Sequence, residues 1–131
     1  MMALAALLIS CNKTSAPSVT FTEIGHENSK VAMRGDDMHL EADVVAEGLI
    51  GSIHVELHKG SYEMEKEYTS GKYIGVKNTE FHEHIEIPSD APLGEYHLNF
   101  TVTDRDGRQT TAEAHVEIIE FNPDKVDEEE E

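Results

Sequence analysis

Tryptophan is absent from this chain of 131 residues, cysteine occurs once, and basic residues are scarce. Each shortage closes a class. A single cysteine allows no internal disulfide. Without a tryptophan or a cysteine pair, antibody-type domains are excluded, although the wider sandwich class is not. The 10 Lys+Arg against 27 Asp+Glu leave a formal net charge of −17. That sign excludes nucleic acid as a partner, because phosphate recognition needs a basic face. There is no glycine-rich phosphate loop and no His-Glu-x-x-His helix. No Ser/His/Asp or Cys/His arrangement is visible either, so no enzyme activity is expected.

Histidine, by contrast, is plentiful, with 8 in the chain. Neutral imidazole is the commonest protein ligand for zinc, copper and nickel, and it is also the side chain that titrates nearest physiological pH. An acidic body attracts cations in general, which agrees with a metal-binding surface. Part of the acidity is local: residues 122–131 include Asp124, Asp127, Glu128, Glu129, Glu130 and Glu131 against one Lys125. That tail has almost nothing to bury and is expected to be disordered.

The lone cysteine follows an apolar run. Residues 1–10 read MMALAALLIS, and Leu8-Ile9-Ser10-Cys11 resembles a bacterial lipobox, in which the cysteine is lipidated. The run is too short to span a bilayer, so a lipoprotein signal segment fits better than a transmembrane helix. No Lys or Arg precedes it, as expected of a signal truncated at its start. The alternative is a buried apolar N-terminus with a chance cysteine. Residues 11–18 then form the lipidated Cys11 and a polar tether. The expected location is the cell envelope, as an outer-membrane lipoprotein facing the periplasm or the cell surface. Its expected partners are the membrane, through the lipid anchor, and an envelope protein.

From residue 19 the apolar period is two, the signature of half-buried strands. Expected strands cover 19–24, 38–46, 50–58, 80–87, 95–103 and 109–121, with short edge strands around 64–68 and 72–76. The run 88–94, Pro-Ser-Asp-Ala-Pro-Leu-Gly, is a strong turn signal, and Asp104-Arg105-Asp106-Gly107 closes a hairpin. Short strands with regular turns and no helical period predict an all-β, immunoglobulin-like antiparallel sandwich of about seven strands over 19–121. Tyr96, just inside a strand after a Pro/Gly corner, fits the tyrosine corner of such folds. A lipocalin-like barrel is the alternative, for which the chain is short.

The segments Phe81-His82-Glu83-His84-Ile85-Glu86-Ile87-Pro88, Gly94-Glu95-Tyr96-His97 and Val102-Thr103-Asp104-Arg105-Asp106-Gly107 carry a family resemblance. They look like a family of small Ig-like lipoproteins of Bacteroidetes, known as a domain of unknown function. The resemblance covers the C-terminal half, and the 53–58 segment more loosely. Members tend to carry further histidines after that segment, where this chain has Lys59-Gly60-Ser61-Tyr62-Glu63. What the resemblance implies is fold and location more than activity.

Seven histidines sit at outward positions of the expected strands: His39, His54, His58, His82, His84, His97 and His115. Only His26 lies outside them. His82 and His84 are two apart and share a strand face, so both can meet one metal ion. His54 and His58 are four apart, about 13 Å along an extended strand, too far to chelate one ion unless a bulge or strand end at Leu57-His58-Lys59-Gly60 closes the gap. If Gly107 takes the left-handed region in a three-residue loop, Asp104 pairs with Arg108 and His97 falls opposite His115. In an Ig-like topology His39, His82 and His84 share one outer face, and His54, His58, His97 and His115 share the other. Asp104 and Asp106 resemble calcium corners of cadherin-like sandwiches, but hairpin turns of this type are commoner than sites, so calcium is not expected. The expected function is capture or delivery of zinc or copper. The alternatives are a structural, adhesion or protein-interaction module that uses histidine only as polar surface, and a pH sensor.

Overall fold

The computed structural model describes residues 15–125. The signal segment, Cys11 and residues 126–131 of the acidic tail lie outside the described residues. Among the described residues eight strands form in chain order: β1 (Ser18–Ile24), β2 (Val31–Met33), β3 (Asp37–Val45), β4 (Ile50–Lys59), β5 (Tyr62–Tyr68), β6 (Asn78–Glu86), β7 (Gly94–Asp104) and β8 (Gln109–Ile119). They arrange as a three-stranded sheet, β1-β3-β6, packed on a five-stranded sheet, β2-β8-β7-β4-β5. This is an Ig-like sandwich, antiparallel except where β2 runs parallel to β8. Among the described residues no helix is long and apolar enough to cross a membrane.

Alternation sends one side of every long strand into a common core. Met38, Leu40, Ala42 and Val44 of β3 meet Ile53, Val55 and Leu57 of β4 and Leu98, Phe100 and Val102 of β7. Phe81 sits at the centre, edge-on to Phe100 with ring centroids 4.9 Å apart. Truncating such a ring to alanine costs about 3–5 kcal/mol. Tyr96 is fully buried, yet its hydroxyl donates to the Pro92 carbonyl at 2.7 Å, closing the expected tyrosine corner. Burial pushes that hydroxyl's pKa up.

The β7–β8 hairpin turns as its residues require. Gly107 has φ 91°, and the Asp104 amide donates to the Arg108 carbonyl at 2.9 Å. Asp104 Oδ1 accepts the amides of Asp106 and Arg108, both at 2.9 Å, so this buried carboxylate caps its own turn. A Cβ on Gly48 would lie 2.7 Å from Asp106 Oδ2 and 2.9 Å from Asp104 Oδ2, so only glycine lets that loop approach.

One expectation needs correction, and one strand was not foreseen. Residues 72–76 form a turn and not an edge strand. Gly71 and Gly75 have φ values of 96° and 82°, which bend the segment and send Tyr73 into the core. Residues 31–33 make a strand that alternation could not show, because three residues carry no readable period.

Candidate metal centre

Strands β3 and β6 are antiparallel neighbours, and their register pairs His39 with His84 and Glu41 with His82. On the other side of β3, Glu23 of β1 pairs with Glu41. All five side chains project from the outer face of the three-stranded sheet. The histidines therefore form a triangle: two from one strand, at i and i+2, and one facing them across the ladder.

The triangle is tight. The His39 ring lies 4.7 Å from that of His82 and 5.0 Å from that of His84, and the His82 and His84 centroids are 5.8 Å apart. One ligand atom from each of the three falls within 4.8 Å of the others. Tetrahedral zinc, with Zn–N of about 2.0–2.1 Å, needs nitrogens roughly 3.4 Å apart, so small side-chain rotations close the remainder. His39 is sheltered, with its side chain only 11% exposed.

Polar partnering around the triangle is one-sided. Glu41 Oε2 is 2.7 Å from His39 Nε2 and 3.6 Å from His82 Nδ1. Glu23 Oε1 is 3.7 Å from His39 Nε2. An anionic acceptor on Nε2 makes that nitrogen the N–H of neutral His39 and leaves the lone pair on Nδ1. His39 Nδ1, His82 Nε2 and His84 Nε2 are buried and have no hydrogen-bond partner. Buried polar atoms are normally paired, so three orphans on three adjacent imidazoles need an explanation. A carboxylate behind a histidine whose other nitrogen is bare is the usual surrounding of a metal ligand.

Behind β6, Tyr73 fixes one corner. Its hydroxyl lies 2.9 Å from the His82 carbonyl and 2.8 Å from Glu83 Oε2, and it accepts the His82 amide at 3.1 Å. Burial raises the Tyr73 hydroxyl pKa to about 12, so it stays protonated as a donor. Tyr68 packs edge-on to Tyr73 at 5.9 Å and is likewise pushed up to about 12, by burial first and the Glu83 carboxylate second.

The other outer face is built differently. Register pairs His58 with His97 and His97 with His115, one histidine on each of β4, β7 and β8. Neighbouring rings lie 5.2 and 4.7 Å apart. The row carries its own carboxylates: His115 Nδ1 is 3.0 Å from Glu95, and His58 Nδ1, buried without a hydrogen-bond partner, is 3.8 Å from Glu56. His54 Nε2 meets Glu65 at 3.1 Å, away from the row. Among the described residues, the groups of three donors that close are His39/His82/His84 and Glu23/His39/Glu41, both on the three-stranded sheet. The structure thus brings His39, His82 and His84 together and leaves His54, His58, His97 and His115 as a row with an outlier. Sequence reasoning missed Glu41, Glu23 and Tyr73. The His39-x-Glu41 spacing was the available signal for the first, and nothing local marked the other two.

Residues 9–119 match the family described as Domain of unknown function (DUF4625). Among curated proteins none matches. Solved structures that share the fold at low identity include these two. The sporulation control protein Spo0M from Bacillus subtilis is 15% identical, with a TM-score of 0.53 over 84% of this chain. A Niemann-Pick type C2 protein from the Japanese carpenter ant is 9% identical, with a TM-score of 0.51, covering 82% of this chain and 96% of that one. The chain spans about half the length of Spo0M, 51%.

Proposed function

The chain belongs to the DUF4625 family, a domain of unknown function, and on that premise we propose that it captures a transition metal, zinc or copper, at His39, His82 and His84. One observation carries the reading: His39, His82 and His84 each bring a donor atom within 4.8 Å of the others, beside a carboxylate 2.7 Å from His39. Three neutral nitrogens suit zinc and copper, and an open fourth position allows an ion to be passed on. The role is capture or delivery and not turnover, because the nearest carboxylate, Glu41, is committed to orienting His39 and not to a reacting water.

The setting in this proposal is the bacterial envelope, with Cys11 lipidated and an envelope protein as donor or acceptor of the ion. Support for it is the Leu8-Ile9-Ser10-Cys11 motif and the polar residues after it. Labelling cells with a radioactive fatty acid should mark the wild-type protein and leave Cys11→Ser unmarked.

Calorimetric titration of the full chain with zinc and with copper(II) tests the metal reading. One tight ion per chain is expected, lost in the His82→Ala/His84→Ala variant. Absence of tight binding at neutral pH would sink the proposal and leave the sandwich as a protein-interaction module.

A further inference from the structure

Beside the histidine triangle a groove of about 470 Å³ opens between β2, the start of β3 and the turn at 25–30. Its size falls within the range of small-molecule sites. Its floor is apolar, made by Ala32, Met33, Met38 and Ile119. Its rim carries Glu27, Asp36, Asp37 and Asp124, while among the described residues no lysine or arginine lines it. The nearby Arg34 is turned to Glu120, 2.6 Å away, and to the Ala91 carbonyl. His39 and His84 form part of the wall, and His82 does not.

The turn that closes the groove is strained. Glu27, Asn28 and Lys30 all have positive φ, at 55°, 60° and 64°. Non-glycine residues enter that region at a cost, and a run of them persists only where surrounding contacts over-determine it. Those contacts are present: Asn28 Oδ1 accepts the Ile24 amide at 3.0 Å, the Lys30 amide donates to the Ile24 carbonyl at 2.8 Å, and the Gly25 amide donates to the His39 carbonyl at 2.8 Å.

We propose that this groove binds a small organic cation, a protonated primary amine with an apolar body. The apolar floor takes the body, and the carboxylate rim takes the ammonium. Among the described residues no Phe, Tyr or Trp lines the groove, so recognition runs through N–H donors to carboxylates and not through a cation–π cage. A primary ammonium is therefore preferred over a quaternary one, and carboxylates are repelled. The site adjoins the metal centre and shares His39 and His84 with it, while His82 does not reach the groove.

The test is an amide-resonance titration of the metal-free, ¹⁵N-labelled full chain with hexylammonium, hexyltrimethylammonium and hexanoate. Hexylammonium should shift amides in 25–33 and 36–39 saturably, about fivefold more tightly than the trimethyl compound, and hexanoate should shift none. Glu27→Gln/Asp36→Asn should weaken hexylammonium at least about fivefold while leaving zinc binding intact. His82→Ala should remove zinc binding and keep the amine. Equal binding of hexanoate, shifts outside the groove, indifference to Glu27→Gln/Asp36→Asn, or loss of the amine in His82→Ala would each overturn the proposal.

Discussion

The two outer faces of the sandwich carry the same residue type in different geometry. On the three-stranded sheet, two histidines from β6 and one from β3 make a triangle. On the five-stranded sheet, β4, β7 and β8 contribute one each to a row. Strands lie about 4.8 Å apart, so the ends of a three-strand row are roughly 10 Å apart and its outer members cannot share an ion. A pair at i and i+2 facing a single residue across the ladder keeps all three within one side-chain reach. Density of histidine on a sheet therefore says little about chelation. The pattern of offsets decides it.

Variants that treat the faces alike put this contrast at risk. His82→Ala/His84→Ala should lower zinc affinity by at least about 100-fold, since one imidazole cannot replace three. The mirror variant, His58→Ala/His97→Ala, should change the tight site less than about threefold. Calorimetry reads both, and a similar loss from the two would erase the distinction. Next in size is the carboxylate behind the ligands. Glu41→Gln should weaken zinc about 10-fold, as expected for an orienting group, while Glu56→Gln on the opposite face leaves it unchanged.

A smaller effect belongs to Tyr73. Tyr73→Phe removes the hydroxyl that meets the His82 backbone and should cost about 1 kcal/mol in denaturant unfolding, with a few-fold loss of zinc affinity. Substituting Thr101, which bonds Thr111 on the other face, should leave zinc untouched. The same tyrosines also make stability depend on pH. Tyr68 and Tyr73 hold their protons to about 12 in the fold, against 10.0 when unfolded. Below pH 10 both states are protonated and the stabilisation is complete. As pH rises from 10 toward 12 the unfolded chain releases protons that the fold retains, so stability falls. Tyr73→Phe should flatten that decline, and equilibrium unfolding at pH 9 and pH 11 measures it.

Much of the fold was legible because it is written locally. Alternation marked the long strands, Asp104–Gly107 announced its hairpin, and the place of Tyr96 after Pro92 and Gly94 announced the corner. The opposition of His97 and His115 followed from loop length alone. The division of the histidines between two faces also followed once the sheet order was assumed. Convergence was not legible, because the pairing of His39 with His84 depends on a register between strands with β4 and β5 threaded between them in the chain. Strand β2 was too short to show a period, and the 72–76 turn depended on two glycines whose positive φ no alternation reveals.

The pairing of β3 with β6 has one more consequence. A slip of one residue would turn His39 inward and Leu40 outward, scattering the three nitrogens. An ion bound across that seam thus ties together distant parts of the chain only when they have paired correctly. If the proposed site binds its ion, that ion would act as a reversible crosslink that proofreads the sheet, and by mass action it would hold the correct pairing against all others.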